Sequence, residues 1–238
     1  MPPKNLEKSK ISEVVSIVAH QLKTPLSVIK GYLEILLGED FGKINEKQRE
    51  YLSDALENVG RMAIIVKYLL DISRIEEGRY ELKLEKVNLE EIASQVIEDF
   101  SSWAKASNCQ ISLWAEKNLP RVLIDPLRIR QVIENLVSDS IKYKLAGEGK
   151  IEISLKKKGK NILFSCKDNG IGIPKKDFRK VFSKFYRSEE SMELDPEGTG
   201  LGLYINKAII ELNRGKIWFK KNKDFGMTFF FILPIAKT

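Results

Sequence analysis

The apolar residues Ile11, Val15, Val18, Leu22, Pro25, Ile29, Leu33 and Leu36 follow one another at steps of mostly three and four. That spacing is the seam of a bundle or coiled-coil helix, and it restricts what the first third of the chain can fold into. A second series, Leu52, Ala55, Val59, Met62, Val66, Leu69 and Ser73, repeats it and is widened by Leu56 and Leu70. Between the two lies GEDFGKIN, 38–45, whose glycines break the helix. Residues 1–78 therefore read as a helical hairpin. Two helices with stripes this wide cannot bury them against each other alone. A homodimer, two hairpins in one four-helix bundle, is the expected solution.

The chain's one histidine, His20, lies on the first of these helices. If Val15, Val18, Leu22 and Pro25 face the seam, His20 takes the outermost heptad position and points at water. Five residues on, Pro25 removes a backbone N–H and leaves the carbonyl of Gln21 without its helical partner, so a bend is expected one turn past His20. An exposed imidazole beside a bend is open to large partners, and neutral imidazole is a competent nucleophile near pH 7.

After Gly78 the period changes. ELKLEKVNL alternates like a strand; 89–106 reads as a helix with Asn88 as N-cap; CQISLWAE, 109–116, alternates again. PLRIRQVIENLVSDSIKY, 126–143, is a helix opened by Asp125 as N-cap and Pro126 in the first turn. KIEISLKK, NILFSCKD, KIWFKK and MTFFFILP are strand candidates, with a helix over roughly 200–213 before the third. The expected fold is α+β: the N-terminal hairpin, 1–78, followed by an α/β sandwich, 79–238, with helices on one face of a largely antiparallel sheet.

Composition bears on partners. The 238 residues are 43% apolar, enough for a core, yet no apolar run approaches the roughly 20 residues that cross a bilayer. Cys109 and Cys166 stand far apart in no metal spacing, which suits reduced thiols in the cytoplasm. Residues 1–78 hold 11 of the 40 basic and 12 of the 33 acidic residues, so the +7 excess lies wholly in the second part. Its lysine runs, at 156–160 and 220–223, carry no interleaved aromatic residues of the kind that stack on bases, and they read as solvated hairpin turns rather than a nucleic-acid surface.

Two glycine clusters carry chemistry. In DNGIGIP, 168–174, an apolar strand ends at Asp168, which can accept a hydrogen bond from an exocyclic amine; Gly170 and Gly172 let the backbone approach a flat ligand. GTGLGL, 198–203, leads straight into a helix, where Gly198, Thr199, Gly200, Leu201 and Gly202 offer backbone N–H groups suited to phosphate. The intervening polar stretch, 175–197, has the length of a lid or binding loop. On the 126–143 helix, Asn135, Asp139 and Lys142 recur on one face, with Glu134 nearby. Oxygen ligands beside a lysine suit Mg²⁺ and phosphates.

Taken together, these segments resemble the sensor histidine kinases. HQLKTP looks like their H box, ENLVSDSIKY their N box, DNGIGIP and GTGLGL their two glycine boxes and FSKFYR their F box, all in family order. The resemblance implies a dimerisation and phosphotransfer hairpin, then a Bergerat-type ATP-binding domain. It implies that His20 accepts phosphate from ATP and passes it to an aspartate on the receiver domain of a response regulator. Asp168 would recognise adenine, Asn135 and Asp139 would hold Mg²⁺, Lys142 and Tyr143 would line the triphosphate, Phe182 and Phe185 would anchor the lid, and Arg187 would reach the γ-phosphate. Thr24 would position water for dephosphorylating the regulator. Gln21 stands where the family more often has an acid able to take a proton. Asp139 stands where it usually has asparagine, and FGMTF, 225–229, keeps one glycine of a further box. These departures motivate an alternative, a nucleotide-binding pseudokinase scaffold; a plain Bergerat ATPase would not carry the His20 helix. A helix that begins almost at the first residue leads us to expect a portion of a longer kinase, or one sensing through another chain. Any membrane attachment would then come through a sensor region outside this sequence.

Overall fold

The computed structural model describes residues 4–236, with side chains described at 15 and from 17 onward, so the packing of Ile11 lies outside the described residues. The chain divides into two compact units, 1–80 and 81–238.

The first unit is a hairpin of α1 (Lys4–Leu37) and α2 (Glu46–Glu76). A capping box starts α2: Gln48 N–H donates to Asn45 Oδ1 at 2.8 Å, and Asn45 N–H donates to Gln48 Oε1 at 2.9 Å. The helix pair closes over Ala19 and Leu26 of α1 and Val59 and Val66 of α2, joined by Leu33, Leu69 and Leu70. The expected stripe of α1 lies beside this line rather than on it. Val18 and Leu22 are 50% and 40% exposed, and Ile29 and Leu36 are also exposed. Ala19 and Leu26, each one residue beyond Val18 and Pro25 of the expected stripe, are the α1 residues buried against α2. A single partner helix covers one line of a wide stripe and leaves the rest uncovered. The helix runs unbroken through Pro25.

In the second unit, β1 (Glu85–Val87), α3 (Leu89–Ala106), β2 (Cys109–Ala115), β3 (Val122–Ile124), α4 (Pro126–Lys142), β4 (Gly149–Lys158), β5 (Asn161–Asp168), α5 (Glu189–Leu194), α6 (Gly202–Leu212), β6 (Lys216–Lys221) and β7 (Met227–Pro234) follow in order. Five strands form one sheet in the order β2-β4-β5-β7-β6. The β2–β4 pair is parallel and the others are antiparallel. The sheet is thus largely antiparallel, as the sequence suggested, with one exception. The exception arises because α4 lies between β2 and β4 in the chain, and a helical crossover returns the chain in the same direction.

One face of the sheet is apolar by simple alternation: Ile151, Ile153 and Leu155 on β4, Ile162, Phe164 and Cys166 on β5, Phe229, Phe231 and Leu233 on β7. Phe164 and Phe231 stack at its centre, ring centroids 4.3 Å apart. Helices α4 and α6 lie against this layer, and α3 packs on β2. Asp125 opens α4 as expected, accepting from Arg128 N–H at 3.1 Å; its second oxygen accepts from Lys83 N–H at 2.9 Å.

Two other elements differ from expectation. The strand read over ELKLEKVNL contracts to Glu85–Val87, because its partner β3 offers only three residues to pair with. The stretch 175–197 is not structureless: it holds a 3₁₀ turn at Lys175–Asp177 and the short helix α5. Among the described residues, no helix is long and apolar enough to cross a membrane.

Candidate functional site

The strand β5 ends at Asp168, and everything around that residue fixes its carboxylate. Gly170 N–H and Met227 N–H both donate to Oδ1, at 2.9 and 3.1 Å. Asn222 Nδ2 donates to the Asp168 carbonyl at 2.8 Å, and Thr228 Oγ1 donates to Asn222 Oδ1 at 2.6 Å. Gly226, at φ +79°, passes so close that a Cβ there would lie 2.1 Å from the Asp168 carbonyl oxygen. No other residue fits that position without displacing the acid. Burial raises the Asp168 pKa, and the two backbone donors oppose the rise. Both of those donors go to Oδ1, which leaves Oδ2 able to receive a ligand's amine.

The C-terminal end of α4 docks on the same turn: Ile171 N–H donates to the Tyr143 carbonyl at 2.9 Å. Asn135, Asp139 and Lys142 therefore stand on a helix fixed beside Asp168. Asn135 Nδ2 donates to Asn206 Oδ1 of α6 at 2.9 Å, which orients the amide, and Gly202 lies against it. Asp139 keeps some accessible surface, but protein atoms crowd its carboxyl. Its pKa is pushed up to about 7, first by burial; Lys142 opposes the shift, while Asp195 and Asp168 add to it. Tyr143 is pushed up to about 12, chiefly by burial and then by Asp139 and Asp195.

Next comes the candidate lid, 175–197, and the glycine cluster that follows it. Phe182 packs on Phe219 of β6, centroids 5.8 Å apart, within a cluster that includes Phe178 and Phe229. Phe185 makes no such anchor: it is 64% exposed, at φ +59°. Gly200, at φ +66°, comes within 2.7 Å of the Phe185 carbonyl carbon, measured from where its Cβ would be, so the glycine cluster is seated on the F-box backbone. Arg187 donates to the carbonyls of Ser191, Asp195, Pro196 and Gly198, and its guanidinium covers Gly198. Thr199 Oγ1 accepts from Leu201 N–H at 3.2 Å, and the Leu201 side chain is buried in the core. Gly172 lies beside Gly226. The start of α6 has no side-chain cap, unlike α2, α3, α4 and α5, so its first N–H groups suit an anion.

On the first unit, His20, Gln21 and Thr24 are all exposed on α1. Asn222, Gly226, Thr228, Asn206 and Asp195 were not found from the sequence as site residues. All but Thr228, which bonds Asn222 six residues away, act through a partner distant in the chain, and only the lone glycine of FGMTF gave a local signal.

Raising the Asp139 pKa has a stability consequence. The folded state holds the proton more tightly than the unfolded one, so stability falls as pH rises from about 4 to about 7 and the cost is complete above that. Asp139→Asn removes it. In urea unfolding at pH 8 without ligand, the variant should be the more stable, by at most about 4 kcal/mol. At pH 4 the difference should vanish. Equal stabilities at pH 8 would place the carboxylate in water.

Both parts of the chain match known families. Residues 10–78 match the His Kinase A (phospho-acceptor) domain, and residues 124–237 match the histidine kinase-, DNA gyrase B-, and HSP90-like ATPase family. The circadian input-output histidine kinase CikA of Synechococcus elongatus is 31% identical over 93% of this chain, which covers 30% of that protein. The non-motile and phage-resistance protein of Caulobacter vibrioides is 30% identical over 94% of the chain, covering 27% of that protein. The chain thus spans less than a third of the curated relatives it matches. Among solved structures, full-length ShkA in complex with AMPPNP shares the fold with a TM-score of 0.78, at 24% identity over 95% of this chain and 46% of that one. The catalytic domain of histidine kinase ThkA is 30% identical, with a TM-score of 0.58 over 66% of this chain and all of that domain. ThkA in complex with the response regulator protein TrrA is 27% identical, with a TM-score of 0.64 over 98% of this chain and 64% of that one. With the phosphoacceptor hairpin matched in its first unit and the ATPase fold in its second, the chain belongs to the histidine kinases of two-component signalling.

Proposed function

We propose that this chain transfers the γ-phosphoryl group of ATP to His20 and then to an aspartate on a response regulator's receiver domain. One observation carries the reading: an exposed imidazole on the bundle helix occurs in the same chain as a fixed acid, a lysine and an uncapped helix N-terminus gathered around one turn. The Asp168 carboxylate accepts from the adenine amine. Lys142, Tyr143 and the first N–H groups of α6 hold phosphate oxygens. A ring nitrogen of neutral His20 attacks the γ-phosphorus, the bond to the β-phosphate oxygen breaks, and ADP leaves. Gln21 can orient the ring by hydrogen bonding, but it has no basic atom, so the ring proton goes to solvent. Thr24, four residues and about one helical turn beyond His20, positions water for the reverse duty of dephosphorylating the regulator.

The described residues fit Mg²⁺ as far as their chemistry goes. No cluster of three or more acidic, histidine or cysteine side chains suits a metal among the described residues. The protein then supplies two oxygen ligands, from Asn135 and Asp139, and phosphates and water complete the shell, as this ion prefers. When bound, the ion neutralises phosphate charge. The crowding of Asp139 by Asp168 and Asp195 favours such a cation.

With [γ-³²P]ATP and Mg²⁺, the purified chain should gain a label that survives base and is lost in acid. His20→Ala and Asp168→Asn should each reduce it by at least about 100-fold. A chain that binds ATP yet takes no label would be a pseudokinase scaffold, and a label retained in His20→Ala would overturn the assignment.

The hairpin itself leaves Val18, Leu22, Ile29, Leu36 and Met62 exposed, a stripe too apolar for water. A second copy would cover it in a four-helix bundle. The full chain should sediment as a dimer at micromolar concentration, and Leu22→Glu should make it monomeric. A monomeric wild type would overturn this.

A further inference from the structure

Between residues 192 and 197 one side chain turns inward. Residues 192–194 and 196–197 are exposed, whereas the Asp195 side chain between them is only 19% exposed. Its Oδ2 accepts from Lys142 Nζ at 3.2 Å and lies 3.5 Å from the Tyr143 hydroxyl. Its backbone is held as well: Asp195 N–H donates to the Ser191 carbonyl at 3.1 Å, and Arg187 donates to the Asp195 carbonyl. One carboxylate oxygen thus engages the lysine and the tyrosine on the α4 face. The Asp195 charge also reaches Asp139 on the same α4 face.

We propose that Asp195 is an internal phosphate mimic: a specificity-determining residue whose carboxylate occupies Lys142 and Tyr143 in the ligand-free lid and must be displaced by the phosphates of an incoming nucleotide. This rests on the reading of Lys142 and Tyr143 as phosphate-binding groups. A lysine holding a carboxylate cannot hold a phosphate oxygen with the same donors at full strength, so the two anions compete. Displacement breaks the tie between Asp195 and α4, and the like charge of Asp139 assists release. Only ligands bearing phosphate can do this. Adenosine, which has the same base, leaves the carboxylate in place. Asp195 therefore makes ATP binding weaker than the pocket alone would allow and couples it to lid movement.

The test is calorimetric titration of the full-length chain with Mg-ATP and with adenosine. Asp195→Asn should tighten ATP binding by about 5- to 10-fold, the scale of one charge-assisted hydrogen bond. Adenosine affinity should stay within about twofold. In a Lys142→Met background the same substitution should change ATP affinity by less than about twofold, because the tie is already gone. Unchanged or weaker ATP binding in Asp195→Asn would overturn the proposal. So would equal tightening for adenosine, which would mean general loosening of the lid, or full tightening without Lys142, which would mean simple repulsion. A wild-type chain that binds no ATP would overturn the kinase reading itself. Normal His20 labelling with any of the three adverse results would overturn only the role of Asp195.

Discussion

Burial of one face of the five-stranded sheet beneath α4 and α6 is the constraint on which the second unit depends. The alternating Ile, Leu and Phe of β4, β5 and β7 present a continuous apolar layer, with Phe164 stacked on Phe231 at its centre. Each such side chain contributes about 1.5–3 kcal/mol when fully buried, so the layer fixes the strand register and the seating of both helices. A one-residue slip would turn the whole set outward. The site lies where this layer ends. The last residue of β5 is Asp168, and the end of α4 is tied to the turn after it through Ile171 N–H and the Tyr143 carbonyl. Polar groups gain fixed positions because the apolar faces behind them cannot move.

Electrostatics then gives the site its character. Asp168 and Asp195 both act on Asp139, and Lys142 is the cation that opposes them there. The N-terminus of α6 adds partial positive charge with no side chain to use it. Such a site is short of cation on the α4 face and short of anion at the helix start. A metal-bound polyphosphate would answer both needs. Asparagine at 139 would lessen the first of them, which is why this departure from the family pattern matters for the metal.

Much of the fold was legible because it is local. Asn88 and Asp125 signal helix starts by their own chemistry, and the strands alternate as written. The first glycine cluster and the acid before it marked the turn at the end of β5. The lost details are tertiary. Strand β3, only Val122–Ile124, is too short for any period to reveal. The stripe on α1 showed a helix but was too wide to say which line meets α2, and the buried line runs through Ala19 and Leu26. Gly226 and Asn222 support Asp168 across 58 and 54 positions of sequence, so nothing near Asp168 announces them. Asp195 sits in an acidic run, where one inward residue looks like its solvated neighbours.

The central claim is that phosphate ends on the imidazole of His20. Trypsin releases residues 11–23, ISEVVSIVAHQLK, a peptide that holds His20 together with Ser12 and Ser16. After incubation of the full chain with ATP and Mg²⁺, the most direct measurement is tandem mass spectrometry of this peptide at neutral to basic pH. The account predicts one added phosphate, localised by the fragment series to His20. Phosphate on Ser12 or Ser16, or an unmodified peptide from a chain that demonstrably binds ATP, would contradict it.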